Sequence, residues 1–348
     1  MISLKKVDFF LVIPIFFLIS LSVLILNSIS PYLFPNYYLY ILTSVVLFVI
    51  FSNLDYEIIS FFSRYIYWFS IFLLVLVLFV GKITRGSIRW IPLGSFSIQP
   101  AEIVRPFLII FWANYLASKK LTIKRFAFLL VLFFLPVSLI LIQPSLGVSI
   151  LTAVSFLGVV FSLPIDKKKI FLPLFFIVLA VPLIYSFLAP YQKQRIKTFL
   201  SPTADPFGAG YNSIQSMMAV GAGQFFGRGL GKGVQTQLQF LPEKHTDFVF
   251  AAIAEEMGFV GSLLVLFAYL FLFWRLAALI SETKSVSVRA FISGLFFTLL
   301  VQVFVNIGMN MGIVPVTGIT LPLLSAGGSS LISIMISLGL VNGISKRK

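Results

Sequence analysis

The chain contains no cysteine and a single histidine, His245, among its 348 residues. Without Cys there can be no disulfide framework, thiolate metal site or thiol nucleophile. One imidazole cannot build a multi-histidine metal cage. Charge is scarce as well, at 11% of residues, against about 25% in an ordinary soluble domain. The scarcity is uneven, with 11 acidic residues against 26 Lys and Arg and a formal net charge of +15. That excess is not the footprint of a nucleic-acid binder. The basic residues fall in short runs between apolar segments, not in a stripe on a soluble surface, so no nucleic-acid partner is expected.

Apolar side chain is abundant: 59% of residues are hydrophobic and 40 are Phe. A soluble fold has no interior large enough for this, whereas lipid is a solvent in which the composition makes sense. The expected fold is an all-α integral membrane protein, a single polytopic domain over residues 1–348. About ten segments reach the roughly 20 apolar residues a helix needs to cross a bilayer. They are 9–30, 38–53, 65–81, 101–117, 126–142, 146–164, 170–188, 249–274, 289–309 and 324–343. The first apolar stretch is longer than a signal-peptide core and no small-residue cleavage site follows it, so it is expected to remain as a span.

Lys and Arg crowd into one alternate set of connections, including Lys5, Lys6, Arg64, Lys119, Lys120, Lys124, Arg125, Lys167, Lys168 and Lys169. The positive-inside rule puts that set, with both termini, in the cytoplasm. The opposite side then holds two long polar, Gly-rich segments, 82–100 and a large loop at about 189–248. Long structured loops between membrane helices commonly carry function.

Four stretches on that outer side carry chemistry. The first contains Arg89-Trp90, then Gln99-Pro100-Ala-Glu102 and Arg105. Pro100 suits a first helical turn, and Glu102 and Arg105 share a face. They read either as a structural ion pair closing the helix end or as a phosphate-clamping cation beside an orienting acid. The second runs from Gly210-Tyr211 through Gln215-Ser216 to a run of glycines holding Arg228 and Lys232. It is no P-loop, because Phe226 and Gly233 stand where Gly and Ser or Thr are required. It reads as a flexible linker or as an anion nest of backbone N–H groups.

The third stretch, Leu241-Pro242-Glu243-Lys244-His245-Thr246-Asp247-Phe248, runs straight into an apolar helix bearing Glu255 and Glu256. Thr246 or Asp247 could N-cap that helix. A carboxylate at a membrane surface is equally a candidate general base. Glu255 lies about 80° around the helix from Asp247 and Glu256 faces away; Arg105 is a candidate partner for either acid. His245 reads as an interfacial hydrogen-bonding residue. The fourth stretch, Asn306 to Ser330, is punctuated by Gly and Pro. It suggests a turn that lines a cavity, with Ser329 and Ser330 opening a helix whose N-terminus could meet an anion.

Together these residues resemble the SEDS family (shape, elongation, division and sporulation proteins) of the RodA/FtsW/SpoVE type. Four blocks carry the resemblance in family order: Arg89-Trp90 with Gln99-Pro100-Ala-Glu102; Gly210-Tyr211 with Gln215-Ser216; Leu241 to Phe248 with Glu255-Glu256-Met-Gly258; and Pro315-Val-Thr317-Gly318 through Gly327-Gly328-Ser329-Ser330. The resemblance implies a peptidoglycan glycosyltransferase that polymerises lipid II, an undecaprenyl-pyrophosphate disaccharide-pentapeptide. Its place would be the outer face of the bacterial cytoplasmic membrane, beside membrane lipid and a class B penicillin-binding protein.

The family's essential Asp maps onto Asp247 and its conserved outer acid onto Glu102. Candidate substrate-binding residues are Glu102, Arg105, Arg89, Gln99, Lys244, His245, Gln215, Ser329 and Ser330, with Glu243, Glu255 and Glu256 as supporting acids. The departing diphosphate needs cations: Arg105, Arg89, or a divalent metal (Mg or Mn) for which Asp247 is a candidate ligand. Inversion at the donor sugar is expected, because no second carboxylate is placed as a covalent nucleophile. Three departures from the family stand out: Arg105 where Lys is usual, Ser145 in place of Asp, and Ala326 in place of Tyr. The competing functions are a lipid II flippase and a non-enzymatic scaffold for the penicillin-binding protein.

Overall fold

The computed structural model describes residues 7–84, 87–93, 96–118, 122–162 and 190–347. The span expected at 170–188 lies outside the described residues. The other nine expected spans all coincide with helix, and most boundaries move by only a few residues. They are α1 (Phe9–Ile29), α2 (Asn36–Asn53), α4 (Ser63–Val80), α7 (Ile123–Ile142), α8 (Leu146–Phe161), α12 (Val249–Glu282), α13 (Val286–Asn310), α14 (Gly328–Lys346), and a broken span made of α5 (Pro100–Ile103) and α6 (Arg105–Ala117). A short α3 (Tyr56–Phe61) bends the chain into α4. Seven of these helices are long and apolar enough to cross a membrane on length and composition alone.

Two spans expected to be continuous are interrupted. The span at 101–117 breaks at Val104, one residue before Arg105 and two before Pro106. A proline there has no N–H to return to the preceding turn. The helix that begins at Val249 runs on to Glu282, but at Gly258 the backbone turns to φ 68, ψ −158, outside the helical region. A second departure is the outer segment 82–100, which folds as a small antiparallel sheet in the order β1 (Lys82–Thr84), β2 (Ser87–Leu93), β3 (Phe96–Ile98). Ile91 pairs with Ile98 and Lys82 with Trp90.

The core is organised around α14, which is buried along nearly its whole length. Its closest partner is α2: a Cβ on Gly339 would stand 2.7 Å from the Phe48 carbonyl, so only glycine permits the approach,. The faces turned away from this core carry large exposed apolar side chains, among them Phe16, Phe69, Phe134 and Phe267. In water such a surface would aggregate; in a bilayer it is the solvated face. At one rim of the bundle, Asp8 ties three elements together. It caps α1 through Leu11 N–H, pairs with Arg275 of α12 at 2.7 Å, and accepts from Ser345 of α14 at 2.7 Å.

Candidate active site

The opposite rim holds a cavity of about 410 Å³. Four charged residues from separate parts of the chain line it: Arg89, Glu102, Arg195 and Asp247. Each is placed by identifiable local structure.

Asp247 sits in a tight turn in which the Thr246, Asp247 and Phe248 N–H groups all donate to the Glu243 carbonyl at 3.1–3.2 Å. The turn is gripped from behind. Asn306 and Asn310 of α13 each donate a side-chain N–H to the Asp247 carbonyl, at 3.0 and 3.1 Å, and Ala326 N–H donates to His245 O at 2.8 Å. Ser325 Oγ donates to the Thr246 carbonyl. The capping reading does not hold: the residue at the N-cap of α12 is Phe248, and no side chain caps that helix. The Asp247 carboxylate lines the cavity instead.

Glu102 stands in the first turn of α5, buried, with the Arg105 guanidinium 4.0 Å away. Arg105 itself does not line the cavity, and its Nε and Nη2 have no hydrogen-bond partner among the described residues. Both it and Arg89 are near enough to act on the Glu102 charge. Arg89 and Trp90 project from β2, and β3 is pinned to α2 by Tyr40, whose hydroxyl donates to Ser97 O and accepts from Ser97 N–H. Gln99 lines the cavity as well, its backbone N–H held by Ser329 Oγ at 2.8 Å and its side chain donating to Ser145 Oγ at 3.3 Å.

Ser329 and Ser330 therefore do internal work, the latter against Thr320 and Gln302. The part of the α14 N-terminus that meets the cavity is Gly327 and Gly328. Of the three departures from the family pattern, Ser145 and Ala326 are cavity walls and Arg105 is not.

The Gly-rich stretch is neither a linker nor a nest for an external anion. Its chain is laid against the break in α12 and exchanges backbone hydrogen bonds with it. Arg228 and Gly229 N–H donate to the carbonyls of Glu255 and Glu256, and Phe259 and Val260 N–H donate to the carbonyls of Gln224 and Phe225. The interrupted helix thereby keeps its orphaned groups satisfied. The anions in this cradle are the protein's own. Glu255 accepts from Gln235 and Thr236 N–H at 2.8 and 3.0 Å. Glu256 accepts from Ser28 Oγ, Gly231 N–H and Gln237 Nε2.

Lys244 closes this group from below, hydrogen-bonded to the Thr236 carbonyl. Burial lowers its pKa, while the charges of Glu256 and Glu255 act in the opposite direction. Lys244, Glu255 and Glu256 thus form a buried structural cluster apart from the cavity, and Arg105 is not their partner. Glu243 accepts from Thr246 Oγ1 at 3.1 Å, and the His245 ring meets Tyr32 edge-on at 6.3 Å. Gln215 lies on α10 (Tyr211–Ala222); neither it nor His245 nor Glu243 lines the cavity.

Arg195 was not singled out by sequence reading. It projects from α9 (Pro190–Leu200), a polar helix inside the large outer loop. A side chain on Gly318 would begin 3.6 Å from Asp247 Oδ2 and 4.0 Å from Arg195 Nη1, so acid and guanidinium flank one glycine. The signal was available in principle: Gln194, Arg195, Thr198 and Phe199 recur at helical spacing and line a smaller neighbouring cavity of about 180 Å³,. Among the described residues, no group of three or more His, Cys, Asp or Glu is placed to hold a metal ion.

These features define a class: a multi-pass helical membrane protein with a polar, mixed-charge cavity at one end of its bundle. The chain belongs to the FtsW/RodA/SpoVE family of cell cycle proteins, which it matches over residues 3–348. It is 39% identical to the peptidoglycan glycosyltransferase MrdB of Escherichia coli K12 over 86% of this chain and 82% of that protein. It is likewise 39% identical to the probable peptidoglycan glycosyltransferase FtsW of Aeromonas salmonicida over 78% and 70%. Among solved structures, a chain from a peptidoglycan synthase complex that coordinates polymerization and crosslinking superposes with a TM-score of 0.86 at 32% identity, covering 98% of both chains. The rod shape determining protein RodA of Thermus thermophilus gives 0.75 at 29% identity, covering 99% of this chain and 98% of that one.

Proposed function

We propose that this chain is a peptidoglycan glycosyltransferase that joins lipid II units into glycan strands, in cell elongation or division. The activity follows from relatives that bear this name at 39% identity along most of their length. The observation that carries the mechanism is the meeting of Asp247, Glu102, Arg89 and Arg195 in one cavity.

In this reading the Asp247 carboxylate takes the proton from an acceptor sugar hydroxyl, acting as general base. The freed oxygen forms the new bond to the donor's anomeric carbon as the bond to the undecaprenyl diphosphate breaks, with inversion. Arg89 and Arg195 receive the charge that develops on the diphosphate. The start of α14 at Gly327 and Gly328 adds backbone N–H groups and the positive end of a helix dipole. Glu102, paired with Arg105, holds the β2–α5 wall of the cavity and orients the sugar.

A divalent cation, Mg or Mn, fits this donor set. Asp247 would be one ligand and the substrate phosphates and water the others, as is usual for Mg²⁺ with one or two carboxylates. Bound there it would supply Lewis-acid stabilisation of the leaving group. The cavity lies at helix ends, not at the middle of the spans where a transport site is expected, which favours an enzyme over a flippase. The Lys/Arg distribution supports a reading in which this rim faces the outer side of the bacterial cytoplasmic membrane. A class B penicillin-binding protein is the crosslinking partner, in line with the synthase complex to which the fold is similar.

The test is a gel of glycan products from purified protein, its partner and lipid II, with and without added divalent metal. Asp247→Asn should abolish polymer while leaving expression and partner binding intact. Strands formed at the normal rate by that variant would overturn the mechanism.

A further inference from the structure

The rim opposite Asp247 carries a second cavity, of about 350 Å³, between α4, α6 and α7. It opens where α4 begins and α6 ends. The far ends of those same helices lead to β1 and to Glu102. Its two halves differ in chemistry. Towards the helix ends it is lined by Arg64, Asn114 and Ser118, and towards the middle of the helices by Trp68, Phe128 and Leu132.

Packing fixes this shape. Tyr67 stacks on Phe111 with ring centroids 4.2 Å apart and donates to the Leu132 carbonyl at 2.8 Å, which locks α4 to α6 and α7. The Asn114 amide is engaged by Ser60 O and Ser63 Oγ. Arg125 lies 4.8 Å from the Tyr115 ring centroid and donates to Tyr115 O and Ser118 Oγ, so a second positive charge is built into the rim.

Arg64 is different: it is exposed and pairs with no described residue. Among the described residues, no acid lines the cavity. Of the two acids just before α4, Asp55 is paired with Arg347, and Glu57 is exposed and outside the cavity.

An unpaired guanidinium above an aromatic and aliphatic wall, within membrane-spanning helices, matches an amphiphile with an anionic head. A water-soluble anion would gain nothing from Trp68 and Phe128, and a zwitterionic lipid would gain little from Arg64, the one cation among the described residues that line the cavity. We propose that this cavity binds one anionic phospholipid from the leaflet facing the Lys- and Arg-rich connections. Its phosphate rests on Arg64 and an acyl chain lies along Trp68, Phe128 and Leu132. The site is independent of the glycan chemistry at the other rim.

Trp68 makes the proposal testable. The full-length protein is reconstituted in phosphatidylcholine with a small fraction of brominated phosphatidylglycerol or, separately, brominated phosphatidylcholine. Quenching of the emission that Trp68→Phe removes is then measured. Brominated phosphatidylglycerol should quench that component at a roughly fivefold lower mole fraction, the preference one surface cation confers. Arg64→Gln should erase the difference, whereas Lys124→Gln, on the same rim but outside the cavity, should leave it unchanged. Equal quenching by the two lipids, a preference that survives Arg64→Gln, or relief of quenching by inorganic phosphate would each overturn the assignment.

Discussion

Asn306 holds Asp247 by its backbone and not by its carboxylate: the Asn306 amide donates to the Asp247 carbonyl at 3.0 Å and to the Ile319 carbonyl at 2.7 Å. Position and chemistry at this residue are therefore separable. Asp247→Asn should cut polymerisation by about 10²–10⁴-fold, the usual worth of a general base, with no loss of thermal stability in detergent. Asn306→Ala should do the reverse first. It orphans the Ile319 carbonyl and leaves the Asp247 carbonyl to Asn310 alone, at a cost of about 1–3 kcal/mol for the orphaned group, so the melting temperature should fall along with the rate.

Arg195 should behave as a residue of the reaction and not of the fold. It lies on a polar helix of the outer loop, and Arg195→Gln should leave the melting temperature unchanged. If it stabilises the departing diphosphate, kcat should fall by about 10²-fold or more, in the range seen when one transition-state donor is removed. Initial rates on lipid II would check this, and a pure KM effect would point to ground-state binding instead. Gly318→Leu, which would push a side chain between Arg195 and Asp247, should be inactive.

The exchange of hydrogen bonds between the Gly-rich stretch and the broken α12 sets up a contrast within one loop. A Cβ on Gly227 would overlap the Glu256 carbonyl, and one on Gly258 would overlap Gly227 N; both residues also have positive φ. Alanine at either should cost more than about 2 kcal/mol. A Cβ on Gly221, inside α10, meets nothing within 4 Å. Gly221→Ala should be neutral or stabilising by up to about 1 kcal/mol. Thermal unfolding of the three variants in one detergent would rank them.

Asp8 gives a pH dependence of known sign. Burial alone would raise its pKa, but the hydrogen bonds from Arg275 and Ser345, the Arg275 charge and the Leu11 N–H together bring it below the usual carboxylate value. A depressed folded-state pKa stabilises the protein above the unfolded value of about 3.9 and loses that contribution as pH falls through the folded value. Asp8→Asn should therefore lower the melting temperature at neutral pH. The gap to the unsubstituted protein should close only in strongly acidic buffer, below about pH 4.

The sequence made some of this legible and hid the rest for physical reasons. Spans are local: twenty apolar residues announce themselves, and nine of the expected spans are helical here. Asp247 and Glu102 could be located because their surrounding motifs are distinctive. The break at Gly258 could not, since glycine is common in membrane helices and its partner loop lies about thirty residues upstream. Glu255 and Glu256 looked like site acids because two carboxylates inside a span are costly. The backbone N–H groups and Lys244 that satisfy them come together only in three dimensions. Arg195 was obscured because α9 is short and polar, and reads as loop.

The burial of α14 bears on how the protein is made. Its mean hydropathy is 1.5 and that of α2, its closest partner, is 1.4, whereas α1 reaches 3.0. Neither of this pair is strongly drawn into hydrocarbon, and α14 carries Ser329, Ser330, Ser333, Ser337 and Asn342 on buried positions. Their comfort lies in each other. During synthesis α2 leaves the ribosome long before α14 and must wait in lipid with its docking face open. Of the described helices α14 is made last, so its docking against α2 can only come at the end of synthesis.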